Sequence, residues 1–73
     1  MAKVEVQSEI TGTVWKILVS PGDRVKEDDQ MLILESMKME IPVLAPEDGT
    51  VSELLVKEGD PVSDGTVVLR LES

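Results

Sequence analysis

Apolar and polar positions alternate along this chain in short runs, and the runs return after 37 residues. The segment "TGTVWKILVSPGDRVKEDDQMLILES" (11–36) lies over "DGTVSELLVKEGDPVSDGTVVLRLES" (48–73) without a gap, and 12 of the 26 positions are identical. These are Gly12/Gly49, Thr13/Thr50, Val14/Val51, Leu18/Leu55, Val19/Val56, Gly22/Gly59, Asp23/Asp60, Val25/Val62, Leu32/Leu69, Leu34/Leu71, Glu35/Glu72 and Ser36/Ser73. The same offset sets Val4 and Val6 over Ile41 and Val43. An internal repeat means one structural unit used again. It predicts two halves related by a pseudo-twofold axis.

Each unit opens with Gly-Thr-Val, and a strand is expected to run on to Val19 and Val56. The spacing Val14, Ile17, Val19 breaks strict alternation, as does Val51, Leu54, Val56, which predicts a β-bulge at the same place in both halves. Pro-Gly-Asp and Glu-Gly-Asp then mark a tight turn in which glycine is free to take positive φ. A short strand around Val25 and Val62 follows, then a polar turn, "KEDDQ" or "SDGTV", then "LILES" or "LRLES". In "LRLES" the alternation is plain, with Leu69 and Leu71 inward and Arg70 outward. By the repeat, Leu32 and Leu34 face the core and Ile33 faces away.

The stretch "LILESMKMEIPVL" (32–44) reads locally as a helix, since Met, Leu, Glu and Lys are good helix formers. The repeat overrides that reading: "LRLES" is too short and too near the chain end for a helix, so "LILES" is a strand too. "EIPVL" matches the period-two "KVEVQ". Residues 36–39 then link two antiparallel strands, with Lys38 at a hairpin tip. The symmetry mate of that tip falls at Ser73 and Met1, which predicts termini lying together at the far end from Lys38. Pro42 cannot donate to a ladder and is expected on an edge, while Pro46 and Pro61 mark the link between halves and a strand start. Residues 1–73 read as one all-β domain of two small antiparallel sheets packed face to face.

Composition narrows the chemistry. Eleven valines favour strand, and Trp15 is the sole aromatic, expected at a rim rather than as a cofactor platform. There is no cysteine and no histidine, which removes disulfides, thiolate metal sites and the commonest general base. The net charge of −8 argues against nucleic acid and anionic membranes as partners. No apolar run is long enough to span a bilayer, and "MAKVEV" lacks the core of a signal peptide, so a cytoplasmic monomer is expected. Arg24 and Arg70 are expected in surface ion pairs.

Lys38 stands out against this background. Lysines are mostly solvated charges and methionines mostly core filler. An exposed tip reading Met37-Lys38-Met39 strains both readings, because it puts two apolar side chains in water. It also lacks the Asn-Gly or Asp-Gly that tight hairpins favour. Such a tip suits contact with a partner that finds a primary amine on a flexible stem. An exposed ammonium is a poor catalyst but a good acceptor once another enzyme aligns it and takes its proton.

Glu35-Ser36-Met37-Lys38-Met39-Glu40 resembles the biotin-attachment motif, in which the modified lysine is flanked by two methionines. "APEDGTV" (45–51) and "VKEGDPV" (56–62) are similar to the segments that follow it in that family, so the resemblance covers essentially the whole chain. It resembles the free-standing biotin/lipoyl attachment proteins more than a fragment of a multidomain carboxylase. The resemblance implies a flattened eight-stranded antiparallel barrel or barrel–sandwich hybrid. It implies that a biotin protein ligase, acting through biotinyl-adenylate, joins biotin covalently to Lys38, with Met37 and Met39 framing the site. The chain is then a carrier and not an enzyme, with biotin carboxylase and carboxyltransferase subunits as partners. Glu40 is the stronger candidate for ligase contact, with Glu35 and Ser36 beside it, although Glu35 recurs as Glu72 and so also reads as structural. Many biotinyl domains have glycine where this chain has Asp28, the mate of Gly65, and the thumb loop of some bacterial acetyl-CoA carboxylase carriers has no counterpart.

Three other readings compete. A lipoyl domain also carries its lysine on this hairpin, but usually with Asp before it and Ala after; lipoate on Lys38 remains a minor alternative. An unmodified barrel–sandwich interaction module, as in adaptors of transport systems, leaves the Met-Lys-Met tip without a purpose. An autonomous enzyme is least favoured, because the 15 carboxylates are scattered and have no histidine partner.

Overall fold

The computed structural model describes residues 3–73. Eight strands follow in order: β1 Lys3–Gln7, β2 Gly12–Ile17, β3 Arg24–Val25, β4 Gln30–Ser36, β5 Met39–Leu44, β6 Gly49–Leu54, β7 Pro61–Val62 and β8 Val67–Glu72. They make two four-stranded sheets, ordered β1-β8-β6-β3 and β5-β4-β2-β7, with every pairing antiparallel. Moving four strands along the chain turns one sheet order into the other, as the repeat requires. The sheets stay separate, so the expected barrel–sandwich resolves to an open sandwich without a closed barrel.

The two halves are interleaved. β3, from the first half, pairs with β6 of the second, and β7 pairs back with β2. Gly22 N–H donates to the Val51 carbonyl (2.7 Å) and Val51 N–H to the Asp23 carbonyl (2.8 Å). Their mates are Gly59 N–H to the Val14 carbonyl (2.7 Å) and Val14 N–H to the Asp60 carbonyl (2.8 Å). Gly22 and Gly59 sit at φ of 97° and 95°, conformations that cost glycine little. The Asp23 and Asp60 carboxylates close these turns by accepting from the N–H groups of Ser20 and Lys57, each at 2.9 Å. Two Gly-Asp pairs therefore steer the chain from one sheet to the other.

That crossing corrects one expectation. β2 and β6 stop at Ile17 and Leu54, two residues short of Val19 and Val56. The next strand belongs to the opposite sheet, so the chain must leave the ladder early to reach it. The bulges fall where the spacing placed them, with register slips between Val14 and Lys16 and between Val51 and Glu53. Asp28 adopts φ of 73°, matching Gly65 at 92°, so aspartate does occupy a turn that wants positive φ.

Leu32, Leu34, Leu69 and Leu71 are fully buried between the sheets, with Val14 and Val51 beside them, while Ile33 is half-buried. Pro42 lies on edge strand β5, and Pro61 opens edge strand β7. Arg70 bridges Glu5 (3.2 Å) and Glu53 (3.0 Å), which hold its guanidinium above its ordinary range, chiefly through the hydrogen bond to Glu53. Arg24, in contrast to the expectation, forms no ion pair among the described residues. At the chain ends Lys3 pairs with Glu72, the symmetry mate of Glu40 with Glu35. Met1, the other residue invoked for the tip's mate, lies outside the described residues. No helix there is long and apolar enough to cross a membrane.

Gly12 and Gly49 recur for a steric reason. A Cβ on Gly12 would run into the Glu35 carbonyl oxygen, and one on Gly49 would sit 3.0 Å from the Glu72 carbonyl oxygen. Both obstacles are backbone and give way poorly. Gly12→Ala should therefore destabilise the fold by about 1–3 kcal/mol, and Gly49→Ala by less. The urea midpoints of the two variants check this, and equal midpoints would refute the steric account.

Candidate functional site: the Lys38 hairpin

β4 and β5 pair from Leu32↔Val43 to Ser36↔Met39, leaving only Met37 and Lys38 in the turn. Both take positive φ, 51° and 65°. A two-residue hairpin with positive φ at both positions follows the strand twist, and Asn-Gly is the usual choice. Met and Lys pay for the left-handed region with roughly 1–2 kcal/mol each. The hairpin thus spends stability to place these particular side chains at its tip.

What holds the tip is its root. Ser36 Oγ donates to the Thr11 carbonyl at 3.0 Å, and bare Gly12 lets the Glu35 backbone pack against the start of β2. The loop before β2 therefore buttresses the end of β4. Above that root the tip is open to solvent: Met37 is 92% exposed, Met39 63% exposed, and Lys38 exposed between them. Lys38 forms no ion pair among the described residues.

Glu35 and Glu40 face each other across β4 and β5 just below the turn, and both are exposed. Like charges in that position destabilise a ladder. The equivalent pair at the chain ends is Lys3 with Glu72, of opposite charge. The structure thus brings Glu35, Ser36, Met37, Lys38, Met39 and Glu40 together on one projecting ribbon, with the Ser36 hydroxyl already committed to Thr11. The tip has an amine, apolar flanks and acidic shoulders. A groove of about 530 Å³ opens between β1 and β5, lined among others by Val6, Ile10, Pro42, Val43 and Leu44, and no residue from 35 to 40 borders it.

The biotin/lipoyl family, described as biotin-requiring enzyme, matches residues 2–71. The chain belongs to that family. A biotin/lipoyl attachment protein of Bacillus subtilis is 44% identical over 68 residues, 93% of each chain. A biotinylated protein TB7.3 homolog of Mycobacterium leprae is 51% identical over 41 residues, 56% of this chain and 58% of that protein. The urea carboxylase of Kluyveromyces lactis contains a region with the same fold, at a TM-score of 0.92 and 36% identity, covering 99% of this chain and 6% of that one. This biotin/lipoyl family member is a biotin carrier domain and not a catalytic enzyme in its own right.

Sequence reasoning found the tip and missed its backbone. The link expected at residues 36–39 is shorter, because Ser36 and Met39 pair within the ladder, which leaves a two-residue turn, and such turns need positive φ. Met37→Gly should raise stability, because the relief of left-handed strain exceeds glycine's entropic cost by about 0.5–1 kcal/mol. A thermal midpoint higher by about 2–8 °C is expected for a domain of this size. A lowered midpoint would show that the methionine side chain stabilises the turn in some other way.

Proposed function

We propose that Lys38 is the residue on which this carrier domain bears biotin. The observation that carries the reading is a lone exposed amine on a two-residue hairpin that accepts backbone strain to display it. A biotin protein ligase presents the activated carboxyl of biotinyl-adenylate. Lys38 Nζ gives up a proton to a base on the ligase and attacks that carboxyl carbon. An amide forms and AMP leaves. Met37 and Met39 offer adaptable apolar contact to the ligase on either side of the amine. Glu35 and Glu40 offer it charge, while Ser36 keeps the hairpin root in place through Thr11.

Biotin, once attached, supplies the group that carries a carboxyl from a biotin carboxylase to a carboxyltransferase acting on an acyl-CoA or a 2-oxo acid. The chain's own part is presentation: the rigid sandwich keeps the tether outside, and tethering raises the local concentration of the carried group at any active site the tip can reach. The presence of a region of this fold in a urea carboxylase supports this assignment of partners.

The test is intact mass after co-expression with a biotin protein ligase. Wild type should gain one biotinyl adduct and bind avidin, and Lys38→Arg should gain none. A biotin adduct retained by Lys38→Arg would assign attachment elsewhere. A lipoyl adduct in place of biotin would favour the alternative cofactor.

A further inference from the structure

The repeat makes the outer faces of the two sheets equivalent in backbone, so their chemistry can be compared row by row. On the β1-β8-β6-β3 sheet, the row at the chain ends is Thr50, Glu72 and Lys3, and the next is Glu53, Arg70 and Glu5. The first row balances its charges, and in the second, which carries one excess negative charge, both carboxylates are engaged by the ion pairs of Arg70. On the β5-β4-β2-β7 sheet the equivalent rows are Thr13, Glu35 and Glu40, then Lys16, Ile33 and Pro42. The first of these is acidic, with no ion pair among the described residues. The second replaces an ion triad with two apolar side chains, Ile33 and Pro42, and a single lysine, Lys16. Beside it Trp15, the bulge residue whose mate is Ser52, is 42% exposed, and Lys16 Nζ lies 5.4 Å from its ring centroid.

The fold does not demand this difference, since the ionic version folds on the other face. The altered rows also have a direction. At 3.3 Å per residue, the Glu35–Glu40 row lies about 7 Å below the turn and the Ile33–Pro42 row about 13 Å below it. An apolar centre flanked by unpaired charge is how protein interfaces are built, with arginine enriched on the opposing side. We infer that this outer face is where the acylating ligase seats the domain, an apolar patch of the ligase covering Trp15, Ile33 and Pro42 while its lysine or arginine side chains meet Glu35 and Glu40. This rests on the reading of Lys38 given above. A partner working at the far end of a tethered group can act at a distance from the carrier body. The ligase works on Nζ itself, so it must hold the body within a few residues of the tip.

The experiment transplants one face onto the other. Trp15→Ser, Lys16→Glu, Ile33→Arg and Pro42→Glu together rebuild the ionic row on the hairpin sheet. With purified domain, biotin protein ligase, biotin and ATP, the graft should raise KM for the domain about tenfold, equivalent to about 1.4 kcal/mol of lost docking, with kcat nearly unchanged. Its circular dichroism and thermal midpoint should match wild type, and Glu53→Gln on the opposite face should leave KM unaltered. Glu40→Lys, which copies Lys3, should raise KM and flatten its dependence on salt. If the graft does not fold, Trp15→Ser alone should still raise KM measurably. Wild-type KM for folded variants, with Lys38→Arg unmodified, would overturn the docking face and leave the attachment site standing. Biotinylation of Lys38→Arg would overturn the attachment site instead. A graft impaired only in later carboxyl transfer would also overturn the ligase assignment.

Discussion

Everything in this domain depends on the reciprocal exchange of two short strands. β3 and β7 each have two residues, too few to stand on their own, and each closes the edge of a sheet whose two inner strands come from the other half. The exchange is held by backbone bonds at Val14 and Val51, which are also buried in the core. Polar satisfaction and apolar burial thus meet in the same residues, and a polar backbone group left unpaired there would cost more than the bond itself contributes. With no disulfide, no metal ligand set of cysteine or histidine, and a single aromatic residue, a chain of 73 residues has few other means of fixing its shape.

A firmly held body allows a costly tip. The Met37–Lys38 turn carries left-handed strain at two non-glycine positions, and the Glu35–Glu40 pair just below it sets like charges face to face. Neither feature helps the fold. Both are tolerated because the hairpin root is clamped by Ser36 to Thr11 and by the close approach of Gly12 to the Glu35 backbone. The long β4–β5 ladder then carries the tip outward, so that the amine is reached from solvent and by large partners.

Internal symmetry separates structure from function more sharply here than exposure or charge does. Most positions that agree between the halves are glycines, turn aspartates and core valines and leucines with a visible structural task, although Leu18 and Leu55 also agree and are exposed. Glu35 belongs to this class through its backbone, which meets Gly12 as Glu72 meets Gly49. Its side chain takes on a different meaning only because its cross-strand neighbour is Glu40 and not a second Lys3. Trp15, Ile33 and Pro42 stand against Ser52, Arg70 and Glu5 in the same way. One backbone, used again, serves as its own reference.

The amino-acid sequence by itself determined the repeat, the all-β class, the bulge positions, the inward leucines and the Lys38 hairpin, because these follow from period-two patterning, glycine and proline punctuation and a 37-residue offset. Those signals are local, or are local signals compared with themselves. Only the tertiary structure decided that the halves trade strands, that the sheets remain an open sandwich, that β2 and β6 end early to cross between layers, and that Arg70 finds ion-pair partners while Arg24 finds none among the described residues. These depend on which distant backbone groups pair, and residues far apart in the chain carry no mark of the neighbour they will meet until the layers close over a shared core.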